Sequence, residues 1–403
     1  MSHRWNLLAW SILASVFVGM SIYLILNPDR TGVVPNYRMA STNWWAGEGI
    51  YGVSGSNSQG THGFLYFPSF AVFFTPFNSV QPEIFGEILW RAFGFGLFAL
   101  GLWQLTAFDR TPRQGVPTES PFSSLGRDDP PGRSLCFLSL VALATPASLA
   151  SLNNGQTNLP LSACLVFSVL MVRSQKWNLA ALFLTLSIIL KPIALAPFLL
   201  AFAVFPTMRK PLLISFIAFI GLGFCHPELH YAADRWVKCL QKILLSYTPE
   251  NLRVSDLFGA LGKWGLIPHP IYEKLTRGLA CLGALGWVWQ AFCRKGLPGA
   301  SWALWVASAL VFTVFNPRVE TNSYVLISPL LAYAAISYWR EAEGGRWKGW
   351  VLAAACIGLM CDGMGLWIYK ATDVWFKPLI VLLVSPLLFQ MPRQWEVKRR
   401  DST

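Results

Sequence analysis

Leu7–Leu26 reads LLAWSILASVFVGMSIYLIL, an unbroken run without a charged residue that follows Arg4. About twenty residues at ~1.5 Å per residue cover roughly 30 Å, the hydrocarbon thickness of a bilayer. No small-residue cleavage pattern stands before Pro28, so the run is expected to be retained as a span rather than removed as a signal peptide. The rest of the chain repeats this signal. Of 403 residues 54% are hydrophobic and 13% charged, with 19 Trp and 28 Phe. A soluble domain carries roughly 25% charge, so lipid is the main solvent here. The expected fold is an all-α integral membrane protein, a polytopic helical bundle forming one domain over residues 1–403.

The net charge of +12 does not point to nucleic acid, because Lys and Arg fall in short clusters between apolar runs. Such clusters read as topology signals. The eight cysteines lie mostly in or beside apolar runs and form no CxxC pair, which argues against a disulfide framework or a zinc site. His226 and His230 are four apart, with Glu228 and Asp234 nearby, but the start of a solvated loop explains them better than a metal. Neither a GxGxxG after a strand nor a phosphate-cradling P-loop is present, and no cofactor is expected.

Further apolar runs begin near Phe64, Phe85, Ser134, Leu159, Trp177, Ile193, Leu212, Leu275, Ala300, Tyr324, Trp350 and Trp375. Phe64–Phe77, broken by Pro68 and Pro76, is read as dipping into the membrane without crossing. Trp177–Phe205 is read as two short helices hinged at Lys191-Pro192. With the N-terminus inside, the basic clusters then collect on one side, as the positive-inside rule requires, and about twelve spans result. Both termini lie in the cytoplasm by this reading, in the cytoplasmic (inner) membrane. Residues 27–84 form a first outer loop, 108–133 a cytoplasmic linker and 226–273 a second outer loop.

This parity gathers the unusual polar residues on the outer face. They are the aromatic stretch from Tyr37 to Tyr51, the turn Asn153–Asn158, the hinge Lys191-Pro192 and the segment Asn316–Asn322. A charge at membrane depth costs about 2.5–3.5 kcal/mol on insertion scales, so Lys191 needs a partner, a cavity or a route to the surface. The stretch Ala232–Tyr247 places Arg235, Lys238 and Lys242 among apolar residues, a pattern suited to a helix on the outer interface that guides an anionic lipid carrier. Asp256 has no evident role. Asp362 sits in an apolar run, where a charge is expected to face the bundle interior.

Tyr37-Arg38 through Trp44-Trp45, Gly47, Ile50-Tyr51, Phe64–Pro68, Pro76 and Leu89-Trp90-Arg91 resemble the opening of glycosyltransferase family 87. Gly155–Asn158, Lys191-Pro192 and Asn316–Tyr324 fit the same family in the same order. The resemblance implies a GT-C class membrane enzyme that moves a hexose, mannose or a relative, from a polyprenyl phosphate to a glycolipid or glycan acceptor by inverting displacement. It implies a donor site lined by Gln156 and Asn158, with Lys191 and Arg318 as phosphate partners. Tyr37, Arg38, Trp44, Trp45, Tyr66, Glu320 and Asn322 complete the expected substrate contacts.

Where family members carry an acid four positions before the tyrosine, this chain has Val33. The base is therefore expected at Glu48, between Gly47 and Gly49 and beside two tryptophans that can stack on a sugar, or at Asp29. Two other classes stay open: a non-catalytic relative that binds a lipid-linked sugar, and a transporter. A transporter would more often show an internal repeat, and none is visible.

Overall fold

A computed structural model describes residues 2–28, 32–51, 63–108, 131–245, 255–341, 344–360 and 376–395. Asp29, Asp362 and most of the expected cytoplasmic linker lie outside the described residues. Within them the chain is all-helical, with no strand.

The first helix, α1 (Ser2–Leu26), is apolar around its circumference and largely exposed, as a helix facing lipid should be. Trp10 on its inner side packs against Phe137 and Trp103, with ring centroids 5.1 and 6.0 Å away. Helices α2 (Val34–Trp45) and α3 (Pro68–Asn78) follow outside this span. Eleven residues give α3 a length of only ~16 Å, too short to cross. α4 (Glu83–Phe108) is long enough, and α5 (Pro131–Ala144) continues through a 3-10 turn into α6 (Leu149–Asn153).

α7 (Asn158–Arg173) is buried along almost its whole length, which makes it the axis of the bundle. α8 (Trp177–Leu190) ends at Lys191, whose backbone is extended at φ −162°, ψ 128°. Pro192 forbids continuation because it lacks an N–H and disfavours a helical residue before it. A 3-10 turn at Pro192–Ala194 leads into α9 (Leu195–Val204), and a second proline, Pro206, precedes α10 (Arg209–Leu222). The expected hinge thus falls at Lys191-Pro192, and the helices on either side of Pro206 are bent by 116°.

The expected outer loop from His226 is mostly helical, with α11 (Leu229–Leu245) and α12 (Leu257–Lys263). The next helical element, α13 (Pro270–Leu310), is 41 residues long, but Gly296 within it has φ +62° and ψ −156°. Ala280, Ala284 and Trp287 before this glycine line one apolar cavity with Ala307, Leu310 and Phe315 after it. A straight helix would hold Ala280 and Ala307 ~40 Å apart, so the chain doubles back at Gly296. α14 (Ser328–Trp339), α15 (Arg346–Leu359) and α16 (Phe376–Leu388) close the bundle.

Four helical stretches among the described residues are long and apolar enough to cross a membrane: Arg4–Leu26, Glu83–Ala107, Cys136–Asn153 and Pro270–Phe315, the last counted as one although it doubles back at Gly296. A fifth results if the bent pair from Pro192 to Leu222 is one span. The sequence reading of about twelve counted every apolar run except Phe64–Phe77 as a span. α7 and α8 have 16 and 14 residues, each under the ~17 that a span needs, because the turn after Arg173 and the break at Lys191-Pro192 cut them short; the described part of the last helix has 13.

Candidate active site

Pro35 opens α2 in a position where its missing N–H costs nothing, and Val34, Tyr37, Ala40, Ser41 and Trp44 form its buried face. Tyr37 therefore points inward. Its hydroxyl shares a hydrogen bond of 2.7 Å with that of Tyr66, and the two rings meet edge to face at 5.2 Å. Burial pushes the Tyr66 phenol up to about 12 and the Tyr37 phenol well above its ordinary value, so both are neutral donors and acceptors.

The turn between α6 and α7 brings in a second group. Gly155 sits at φ +61°, and a Cβ there would lie 2.3 Å from Val34 Cγ2. The turn is held from behind by α4. Arg91 Nε donates to the Leu152 carbonyl at 3.1 Å, its Nη2 to the Asn153 carbonyl at 3.1 Å, and Trp90 Nε1 to the Gly155 carbonyl at 2.8 Å. The Arg91 charge is balanced by Glu87 at 3.1 Å, and both side chains are buried. From the other side the Val33 N–H donates to the Asn154 carbonyl at 3.0 Å, so the turn and the start of α2 are one unit.

This unit aims a chain of polar side chains. Lys191 Nζ donates to Asn158 Oδ1 at 2.9 Å, Asn158 Nδ2 to Gln156 Oε1 at 2.6 Å, and Gln156 Nε2 to Glu320 Oε2 at 2.5 Å. Two amides thus connect a cation to a carboxylate that arrives from a segment more than a hundred residues later. That segment is itself fixed. Glu320 and Ser323 cap each other across a 3-10 helix at Thr321–Leu326, and Lys377 Nζ donates to the Thr321 carbonyl at 2.9 Å. The Tyr324 hydroxyl donates to the carbonyls of Ser255 and Thr313 at 2.7 and 3.1 Å.

The groups enclose a cavity of ≈ 370 Å³. Tyr37, Tyr66, Gln156, Lys191, Arg318 and Glu320 supply its polar wall; Val33, Leu65, Ile193 and Ile243 supply an apolar one. Burial holds the Lys191 ammonium below its ordinary value, with the Glu320 charge opposing and that of Arg318 assisting. Burial likewise lowers Arg318, against Glu320. Two cations held at a desolvation cost around one carboxylate are suited to receiving an anion.

Asn158 and Asn322 stand behind this wall, buried, with 3.5 Å between Asn158 Nδ2 and Asn322 Oδ1. The remaining expected site residues lie elsewhere. Arg38 pairs with Glu83 and approaches Glu87 to 3.9 Å, tying α2 to α4. Trp44 is buried against His226 and Tyr231, at centroid distances of 5.5 and 5.4 Å. Trp45 donates from Nε1 to Thr75 Oγ1 at 2.8 Å. The Glu48 side chain is exposed and does not line the cavity, while its backbone carbonyl accepts from the Tyr231 hydroxyl at 2.6 Å. Glu320 is the one carboxylate among the described lining residues. No group of three or more His, Cys, Asp or Glu able to hold a metal occurs among the described residues.

Sequence reasoning placed Thr157 and Asn316 only within outer-face segments and did not name Val33, Asn36, Leu65, Ile193 or Ile243 as cavity residues. Val33 had a signal: it lies four residues before Tyr37, the spacing that puts two side chains on one helix face. The position where an acid was expected does face the cavity.

Residues 64–317 match the family model of glycosyltransferase family 87. The chain belongs to glycosyltransferase family 87. It is thus a membrane protein of a glycosyltransferase family. No curated protein matches the chain. Within this family 87 chain the matched span holds Tyr66, the Gln156 turn, Lys191 and Asn316. Tyr37 lies before it, and Arg318 and Glu320 just beyond, so the cavity draws part of its polar wall from outside the matched span.

Proposed function

We propose that the protein transfers a mannose-like hexose from a polyprenyl phosphate to a glycolipid or glycan acceptor at the outer face of the cytoplasmic membrane. The observation that carries this reading is the gathering of Lys191, Arg318 and Glu320 on the polar wall of a cavity whose other wall is apolar. A lipid-linked sugar phosphate has the same division. The distribution of basic clusters supports placing the site outside and both termini inside.

Glu320 takes the proton from the acceptor hydroxyl as that oxygen attacks the anomeric carbon. The bond from the anomeric carbon to the phosphate oxygen breaks on the opposite face, and the polyprenyl phosphate leaves with the bonding pair. Arg318 offers a planar fork and Lys191 a point charge to the departing phosphate. Gln156, donating to Glu320, orients the carboxylate. No metal enters these steps. Glu320 replaces Glu48 as the assigned base because a base must reach the proton it removes.

The test is transfer of radiolabelled mannose from polyprenyl-phosphate mannose in proteoliposomes. Glu320→Gln is expected to lower kcat by about 10²–10⁴-fold, the range of general base catalysis, while Glu48→Gln keeps activity. Transfer that survives Glu320→Gln and is lost in Glu48→Gln would reverse the assignment. Val33 favours a second reading, a binder without transferase activity, which predicts donor binding and no product from any donor.

A further inference from the structure

Asp256 is fully buried, yet it does not line the cavity. It stands at the head of α12 with an extended backbone, and its Oδ1 accepts from the Gly259 N–H at 2.8 Å. A helix cap needs one oxygen. The second, Oδ2, accepts from Arg277 Nη2 of α13 at 2.6 Å, while Nη1 of the same fork donates to Glu273 at 3.3 Å and the guanidinium lies 4.8 Å over the Phe258 ring. A buried ion pair adds little net stability over apolar side chains of equal volume, but the fork fixes a direction. What it fixes is the residue before Asp256.

Ser255 is buried and bonds through both of its backbone groups to the segment that carries Glu320. Its N–H donates to the Val319 carbonyl at 3.1 Å, and its own carbonyl accepts from the Tyr324 hydroxyl at 2.7 Å. Val319 is buried, while Arg318 before it and Glu320 after it line the cavity. Three further bonds of this stretch are local. The Arg318 N–H donates to Asn316 Oδ1 at 3.1 Å, the Val319 N–H to the Asn316 carbonyl at 3.3 Å and the Glu320 N–H to Ser323 Oγ at 3.3 Å. Local bonds shape a loop without deciding where it stands. The bond from Ser255 sets the plane of the peptide that leads into Glu320, and with it the direction of the Glu320 side chain.

Resting on the reading of Glu320 as the base, we propose that Asp256 and Arg277 are positioning residues for transfer. Their ion pair anchors Ser255, and Ser255 holds the backbone between Arg318 and Glu320 so that guanidinium and carboxylate share one wall. Neither residue of the pair touches the substrate.

Kinetics and hydrogen exchange test this. Asp256→Asn keeps an acceptor for the Gly259 N–H and loses the charge that holds Arg277. With polyprenyl-phosphate mannose in proteoliposomes, kcat is expected to fall by up to about 10²-fold, the cost of misplacing a reacting group by about 1 Å. KM should change little, because Lys191 is held by Asn158 instead. Arg277→Gln is expected to match Asp256→Asn, and Arg277→Lys, which keeps the charge, to recover most of the rate. In a Glu320→Gln background Asp256→Asn is expected to lower kcat no further, since the group it positions is gone. Losses that multiply in the double variant show a general structural role and overturn the proposal, as does a rise in KM with kcat unchanged.

Hydrogen exchange needs no turnover. Amides of residues 316–324 are expected to exchange about tenfold faster in Asp256→Asn than in the unmodified protein, with those of 158–173 unchanged. Equal exchange in 316–324 overturns the anchoring, and so does faster exchange in both stretches, which reports global loosening. Asp256→Asn/Arg277→Met, which leaves no unpaired charge at 256 or 277, carries both measurements where a single variant does not fold. If Glu320→Gln alone leaves kcat unchanged, it is the assignment of the base that fails, and exchange still decides whether the pair anchors the segment.

Discussion

Gln156 donates from Nε2 to Glu320 Oε2 at 2.5 Å, which holds the one carboxylate of the described cavity wall in a fixed direction. The other end of the same amide accepts from Asn158, so the flip state of Gln156 is set by its neighbours. Gln156→Ala is expected to lower kcat about tenfold with KM little changed, since orientation of the base is lost while the cations remain. Gln156→Glu should be worse, because it sets two carboxylates side by side and raises the proton affinity of the pair. Steady-state transfer kinetics on both variants, read beside Glu320→Gln, check this.

Lys191 gives a pH test. Burial disfavours its charged form, so in the unliganded protein the ammonium loses its proton at a lower pH than an ordinary lysine. Below that lowered value it is charged and receives the donor phosphate; above it the charge is gone. Donor affinity is expected to fall as pH rises through the lowered value, earlier than an exposed lysine would allow. Lys191→Arg keeps its charge across the range and should move the alkaline limb upward, even if it binds less well at neutral pH. Binding isotherms for polyprenyl phosphate between neutral and alkaline pH decide it; coincident limbs in the two proteins would remove Lys191 from the phosphate site.

Arg91 and Glu87 are paired at 3.1 Å with both side chains buried. Arg91→Ala leaves the buried Glu87 carboxylate with only Arg38, 3.9 Å away, and frees two carbonyls of the Gln156 turn, at a cost of about 3 kcal/mol. Trp90→Phe loses only the bond to Gly155 and should cost about 1 kcal/mol. Thermal unfolding in detergent is expected to rank the two variants in that order.

Gly155→Ala combines two penalties. Its φ of +61° strains any residue with a Cβ, and that atom would meet Val34 Cγ2 at 2.3 Å and Arg91 Cζ at 3.1 Å. A destabilisation of about 1–3 kcal/mol is expected, together with loss of transfer out of proportion to it, because relief of the clash moves Gln156. A variant that melts lower yet transfers normally would show that the turn does not position the site.

The chain stated its solvent, its helices and the main interruptions by itself. Run length, the scarcity of charge and the prolines at 192 and 206 act locally, through hydrogen bonding and φ, and need no knowledge of the partner helix. The same holds for α11, whose repeat of apolar positions was visible in the order of residues. The reversal within α13 is different. Gly296 is one of 32 glycines, and only its backbone angles and the shared cavity on either side distinguish a turn from a long helix.

The site was legible as a set of segments and, through the family resemblance, as candidate side chains, but not as a set of contacts. Tyr37, Tyr66, Gln156, Lys191, Arg318 and Glu320 come from segments far apart in the chain, and which atoms meet is decided by packing of α2, α4, α7 and the 316–326 segment. Local reasoning preferred Glu48 because glycines and tryptophans flank it. The tertiary structure turns those tryptophans toward His226 and Thr75 and leaves Glu48 outside, while Glu320, expected only as a substrate contact, is the carboxylate carried to the wall. Sequence sets which segments are apolar, where they bend and which carry charge. The direction in which a carboxylate points depends on hydrogen bonds to residues more than a hundred positions away, and only the folded chain brings those together.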